Sequence, residues 1–163
     1  MDNENMGNVR ILLPQERLSA VDMQIDEKPF VGVLNEGLSD FGYKEVFGWY
    51  LSLIIDYERT VGDGMPDRDD TSRMQTFSDA LTKGLSEEPD HPNALFLGRV
   101  TGDGYTHIMW YVNNPDTADK YLKELIDSKS YPFDFDYEMT PDPEWSEAAY
   151  WLLPFTAKSD LGS

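Results

Sequence analysis

Residues 47–58 constrain this chain more than any other stretch of it. Phe47, Trp49, Leu51, Leu53 and Ile55 share one parity, and Tyr50 and Ile54 make the other parity apolar too. Successive side chains of a strand point to opposite faces, so a strand apolar on both must be covered on both. That places it inside a sheet rather than at its edge, and it requires helices elsewhere in the chain to do the covering.

The flanking sequence supplies them. Asp70 stands as the N-cap of a helix running to about residue 87, with Met74, Phe77, Leu81 and Leu85 as its buried stripe. Strands over 94–100 and 105–112 flank Thr101-Gly102-Asp103-Gly104, a tight-turn sequence. Asn114 caps a second helix over 115–127, Pro115 suits its first turn, and Asp116 complements its dipole. Residues 133–139 alternate without exception, Phe133, Phe135, Tyr137 and Met139 against Asp134, Asp136 and Glu138, as a half-buried strand does. A helix over 144–153 follows, with Trp145, Ala148, Ala149 and Leu152 on one face. Ahead of residue 47, a short strand over 9–13 precedes a hairpin formed by 18–25 and 30–34.

From residue 47 onward the order is strand, helix, strand, strand, helix, strand. The predicted class is therefore α+β, a ferredoxin-like (βαββαβ) sandwich with an extra N-terminal β-hairpin and a short C-terminal helix. One domain is expected over 18–155, with a lead over 1–17 and a tail over 156–163; a chain of 163 residues is long enough for one continuous core.

Charge limits the function. Thirty-one acidic against thirteen basic residues give a net −18, a field that repels phosphate backbones and anionic lipid and attracts a basic protein. The same charge also serves solubility. An aromatic content of 13% excludes global disorder. The absence of cysteine removes disulfides, thiolate nucleophiles and thiolate metal sites together. The first eight residues are polar and acidic, without a secretory pattern, and no apolar run approaches the ~20 residues of a membrane helix. A cytoplasmic protein is expected, touching neither nucleic acid nor membrane.

Motifs for chemistry are missing. Read as an EF-hand from Asp67, the acidic loop places Asp69, Thr71, Ser72 and Ser78 at the third, fifth, sixth and twelfth positions, so the required glycine and glutamate are absent. His91 and His107 have no ligand spacing around them, and neither Gly62-Asp63-Gly64 nor Gly102-Asp103-Gly104 is a phosphate loop. No catalytic residue, cofactor or metal is expected. The candidate partner-binding residues are Asp134, Asp136 and Glu138 on the strand face, and Asp63, Asp67 and Asp69 in the loop. Exposed tryptophan or tyrosine near them would serve as anchors.

Two stretches carry a resemblance. Leu97-Gly98-Arg99-Val100-Thr101-Gly102-Asp103-Gly104 with the aromatic strand after it, and Phe135-Asp136-Tyr137-Glu138 leading to Asp142-Pro143-Glu144-Trp145, resemble the bacterial domain of unknown function 695 family. The likeness runs from about residue 18 to 154. Over about 94–151 the chain is also similar to a ribonuclease-regulator module, an acidic protein that inhibits by binding. Neither resemblance brings catalytic residues. The expectation is an acidic binding module that neutralises or regulates a basic partner, as an immunity protein, antitoxin or nuclease inhibitor does. The alternative is a small-ligand-binding or hydrolytic domain that uses its surface carboxylates.

Overall fold

A computed structural model describes residues 12–88 and 90–162, with side chains through residue 155. In chain order the elements are β1 (Leu18–Ile25), β2 (Lys28–Asn35), β3 (Trp49–Asp56), α1 (Arg68–Ser86), β4 (Ala94–Gly102), β5 (Tyr105–Val112), α2 (Pro115–Ser128), β6 (Phe135–Pro141) and α3 (Ser146–Gly162). The strands form one sheet in the order β1-β2-β4-β5-β3-β6, and every neighbouring pair is antiparallel. The protein is thus a mixed α+β structure, six antiparallel strands with three helices.

β3 is interior, between β5 and β6, as its two-sided apolar pattern requires. Leu51, Leu53 and Ile55 face α1 and α2 and pack with Phe77, Leu81, Trp110 and Leu122. On the other face, Tyr50 joins Met109, Tyr111, Trp145 and Trp151 under α3. Each fully buried side chain of this kind stabilises the fold by roughly 1.5–3 kcal/mol.

The turns follow the backbone chemistry of their residues. Asp26 and Glu27 join β1 to β2 with φ of 52° and 68°, and Asp103-Gly104 joins β4 to β5 with φ of 51° and 87°. Both are two-residue turns with positive φ at each position, whose twist matches that of the strands they join. Gly64, at φ +74°, lets residues 61–65 lie against the β4–β5 turn, where its carbonyl accepts from Gly104 N at 2.8 Å; a Cβ there would meet Asp103 at 2.8 Å.

Several expected boundaries move. Phe47 belongs to a 3-10 turn (Lys44–Phe47) and packs under α3, opposite the face of Leu51, because Gly48 breaks the strand phase with φ −86° and ψ 12°. Asp67, not Asp70, caps α1; its carboxylate accepts from Asp70 N at 2.8 Å. β6 starts at Phe135, two residues after the expected 133. α3 is not short: it runs to Gly162 with Pro154 inside it, through residues expected to be a tail. Its buried face is Ala148, Trp151 and Leu152, with Trp145 buried just ahead of it, and Ala149 is exposed. Leu12 and Leu13 are irregular, and the rest of the strand expected over 9–13, with the lead over 1–8, lies outside the described residues.

α3 is locked by the residues before it. Asp142 accepts from Ser146 N (2.9 Å), Glu147 N (3.0 Å) and the Tyr111 hydroxyl (2.7 Å). Trp145, at φ 58°, stacks on Tyr111 at 4.3 Å between centroids and donates from its indole to Phe47 O. Burial raises the Asp142 pKa, but these hydrogen bonds outweigh it and hold the carboxyl below its ordinary value. The Asp142-Pro143-Glu144-Trp145 sequence is therefore a helix-start lock.

Candidate functional site

The exit of β3, the first turn of α1 and the chain entering β6 meet in an open cleft of about 500 Å³. Pairing of β3 with β6 brings them together, since it sets Ile54 opposite Asp136 and Ile55 opposite Phe135. Five carboxylates line the cleft: Asp56, Glu58, Asp70, Asp134 and Asp136. Four rings, Tyr57, Tyr131, Phe133 and Phe135, supply its apolar surface. Arg59 and Arg73 are the only cations in the lining, so three negative charges are in excess.

The rings are held edge to face. Tyr57 meets Phe133 at 5.6 Å and 86°, and Tyr131 meets Phe135 at 5.6 Å and 77°. Tyr57 is anchored from below: its N–H donates to Gly104 O at 2.9 Å and its hydroxyl lies 2.6 Å from Thr106 Oγ1. Burial pushes the Tyr57 phenol above its ordinary pKa. Arg73 shows how the cleft treats a guanidinium. It pairs with Asp70 at 3.1 Å, donates to Pro132 O at 3.3 Å, and lies 4.9 Å from the centre of the Phe133 ring.

Of the residues singled out from sequence, Asp134 and Asp136 line this cleft. Glu138 is exposed one step further along β6, opposite Ser52. Asp67 is occupied as the α1 cap, Asp69 is exposed in the first helical turn, and Asp63 is exposed beside the β4–β5 turn. The structure therefore does not gather the loop acids with the strand acids. Asp56, Glu58, Asp70 and the Tyr57–Phe133 pair were missed as cleft residues. Their sequence signal was available only at the strand end, where Asp56, Glu58 and Arg59 follow the apolar run.

A second polar cluster lies under α3. His107 Nε2 is 2.7 Å from Ser52 Oγ and 3.5 Å from the Tyr50 hydroxyl, with the Trp151 ring edge-on at 5.9 Å. Burial lowers the His107 pKa to about 4, so the imidazole is neutral at pH 7. Among the described residues no carboxylate hydrogen-bonds to this ring. Ser52 and Tyr50 meet the ring nitrogen and Trp151 covers the ring, so the imidazole is a hydrogen-bonded polar group within the core. Among the described residues no three histidine, aspartate or glutamate side chains are placed to hold a metal, and no helix is long and apolar enough to cross a membrane.

The model of the Family of unknown function (DUF695) matches residues 19–152. No curated protein and no solved structure matches the chain. The matched span runs from the second residue of β1 into α3 and takes in all of the sheet but Leu18, with the whole cleft, so the chain belongs to the DUF695 family.

Proposed function

We propose that this DUF695 member is a binding module that recognises a basic protein, with the cleft at the β3–β6 end taking a lysine or arginine side chain of the partner. The observation that carries this reading is the lining itself, five carboxylates interleaved with four aromatic rings. Carboxylates pair with a cation and ring faces attract it, and the Arg73 guanidinium already uses both kinds of contact there. The net −18 supplies long-range steering, which speeds association of opposite charges to ~10⁸ per molar per second or more at low salt. An immunity protein, an antitoxin or an inhibitor that regulates a basic nuclease, acting in the cytoplasm, fits these properties. We read the framework as a ferredoxin-like core, β3 to β6 with α1 and α2, to which the β1–β2 hairpin adds an edge. A volume of about 500 Å³ also suits a small organic cation, the second reading.

The test is affinity capture from the source cell followed by association kinetics across salt concentrations. The expected partner is basic, and the variant D134K/D136K/E138K associates at least tenfold more slowly at low salt, with a smaller difference at 1 M where the Debye length is ~3 Å. An acidic or neutral partner, or a triple variant that binds as fast as the parent, overturns the reading. Calorimetric titration with arginine decides between the two: binding of the free amino acid at micromolar strength favours the small-ligand reading.

A further inference from the structure

The chain holds the same tripeptide twice, Gly62-Asp63-Gly64 and Gly102-Asp103-Gly104, and the fold makes the same turn of each. Asp63 and Gly64 have φ of 58° and 74°, against 51° and 87° for Asp103 and Gly104. Met65 N closes the first turn on Gly62 O at 3.1 Å, and Tyr105 pairs with Gly102 across the second. In both, aspartate is the first central residue and glycine the second.

What differs is the glycine nitrogen. Gly104 N donates to Gly64 O at 2.8 Å, and Lys28 Nζ pairs with the Asp103 carboxylate at 3.0 Å. Among the described residues no acceptor meets Gly64 N, and no donor meets the exposed Asp63 carboxylate. One turn covers the other and is itself left open.

Aspartate before glycine is the pair in which a chain most readily attacks its own side chain, because glycine puts no Cβ in the way. The glycine nitrogen gives up its proton and bonds to Cγ, the Cγ–OH bond breaks, and water leaves as a five-membered succinimide closes. Water then adds to the main-chain carbonyl carbon of the aspartate, and the bond from that carbon to the glycine nitrogen breaks. The product is isoaspartate, unchanged in mass, with a main chain that runs through Cγ and is one methylene longer. The reaction consumes no oxidant or co-reactant. It needs a nitrogen that is not donating a hydrogen bond, and a backbone able to turn about the aspartate. Gly64 N meets the first need, and the loop between β3 and α1 meets the second. At Asp103 the same rotation breaks the bond to Gly64 O, the Lys28 pair and the end of the β4–β5 ladder.

We propose that Asp63 is a site of spontaneous modification, converting to isoaspartate through Gly64 N, and that the hydrogen bond from Gly104 N to Gly64 O holds Asp103 back from the same reaction. The consequence reaches the cleft. The added methylene shifts Gly64 O from Gly104 N, and Gly104 O in turn holds Tyr57 N at 2.9 Å, beneath a ring of the cleft wall.

The experiment incubates the full chain for weeks in mildly acidic buffer made with heavy-oxygen water. Each succinimide that reopens takes up one heavy oxygen, and tryptic peptides ending at Arg68 and Lys120 report the two sites separately by mass spectrometry. In the folded chain, uptake at Asp63 is expected to be at least tenfold faster than at Asp103. Unfolded in urea, the two sites are expected to differ by less than threefold, since glycine flanks both aspartates on each side. Lys28→Met, which removes the exposed ion pair and leaves the hydrogen bond, is expected to keep Asp103 slow. In the isolated isoaspartyl form, amide exchange at Tyr57 and Gly104 is expected to accelerate at least threefold. Equal uptake at the two sites of the folded chain overturns the proposal, as does a tenfold difference that persists in urea. A Lys28→Met variant in which Asp103 reacts as fast as Asp63 moves the protection to the ion pair, and unchanged exchange at Tyr57 refutes the link to the cleft.

Discussion

His107 sits where proton uptake and packing oppose each other. Its ring is held neutral by burial, against Ser52, Tyr50 and Trp151, with a native pKa of about 4 against 6.5 for the exposed side chain. The unfolded chain therefore binds this proton first, and stability is lost as pH falls from about 6.5 toward 4. The shift corresponds to roughly 3 kcal/mol when fully expressed below that window. The groups facing the cluster are Tyr50 from β3 and Glu147 from α3. Asp142, whose carboxyl is held below its ordinary value, loses its contribution at still lower pH, so the two effects separate. In His107→Gln, which keeps an acceptor for Ser52, stability measured by urea unfolding becomes flat between pH 6.5 and 5 while the acid loss below pH 4 stays. A parent profile already flat over that interval contradicts a buried neutral histidine. None of this was visible at the residue level: nothing in the sequence around His107 says that Ser52, fifty-five positions away, meets its ring.

The elements were legible wherever local chemistry decides them. Alternation marked β6 and β1, the two-sided run marked β3, and Asn114-Pro115-Asp116 marked the start of α2, whose cap accepts from Asp116 N and Thr117 N. Element ends were less legible, because several residues compete for one role. At α1 four acids, Asp63, Asp67, Asp69 and Asp70, precede the apolar stripe, and only backbone geometry decides between them: Asp67 is extended at φ −72° and ψ 178°, as a cap must be. Replacing Asp67 with alanine is expected to cost about 1 kcal/mol in chemical denaturation. Asp70→Ala, which loses an exposed i,i+3 pair with Arg73, is expected to cost under about 0.5 kcal/mol. Equal costs would reassign the cap. The cleft was half legible. Asp134 and Asp136 showed in the alternating strand, but the other wall comes from residues 56–59 and 70–73, and only the β3–β6 pairing, a contact between segments some eighty residues apart, brings the walls together.

On the scale of the whole molecule, the charge that suits binding acts against folding. Among the described residues three ion pairs, Lys28–Asp103, Arg73–Asp70 and Lys123–Asp119, engage three of the 31 carboxylates. The remaining acids repel one another across the surface, and a net charge far from zero destabilises a compact chain. Two consequences can be separated experimentally. Added salt shortens the range of the repulsion, from ~10 Å at 0.1 M to ~3 Å at 1 M, so the melting temperature of the parent rises with sodium chloride. The variant D134K/D136K/E138K turns three negative charges positive and moves the net charge from −18 to −12. Its three positions are exposed, while Phe135, Tyr137 and Met139 of the same strand pack on the core side, so the core is untouched. With a gain of up to ~0.5 kcal/mol for each surface change, the variant is expected to melt roughly 3–6 °C above the parent at low salt, and the difference shrinks at 1 M. Scanning calorimetry at the two salt concentrations measures both. A variant that melts lower than the parent at low salt would mean that these carboxylates hold local structure, and its slower binding could then no longer be assigned to charge. A variant that gains stability while losing association rate places the acidic edge where a binding surface belongs, maintained at the expense of the fold.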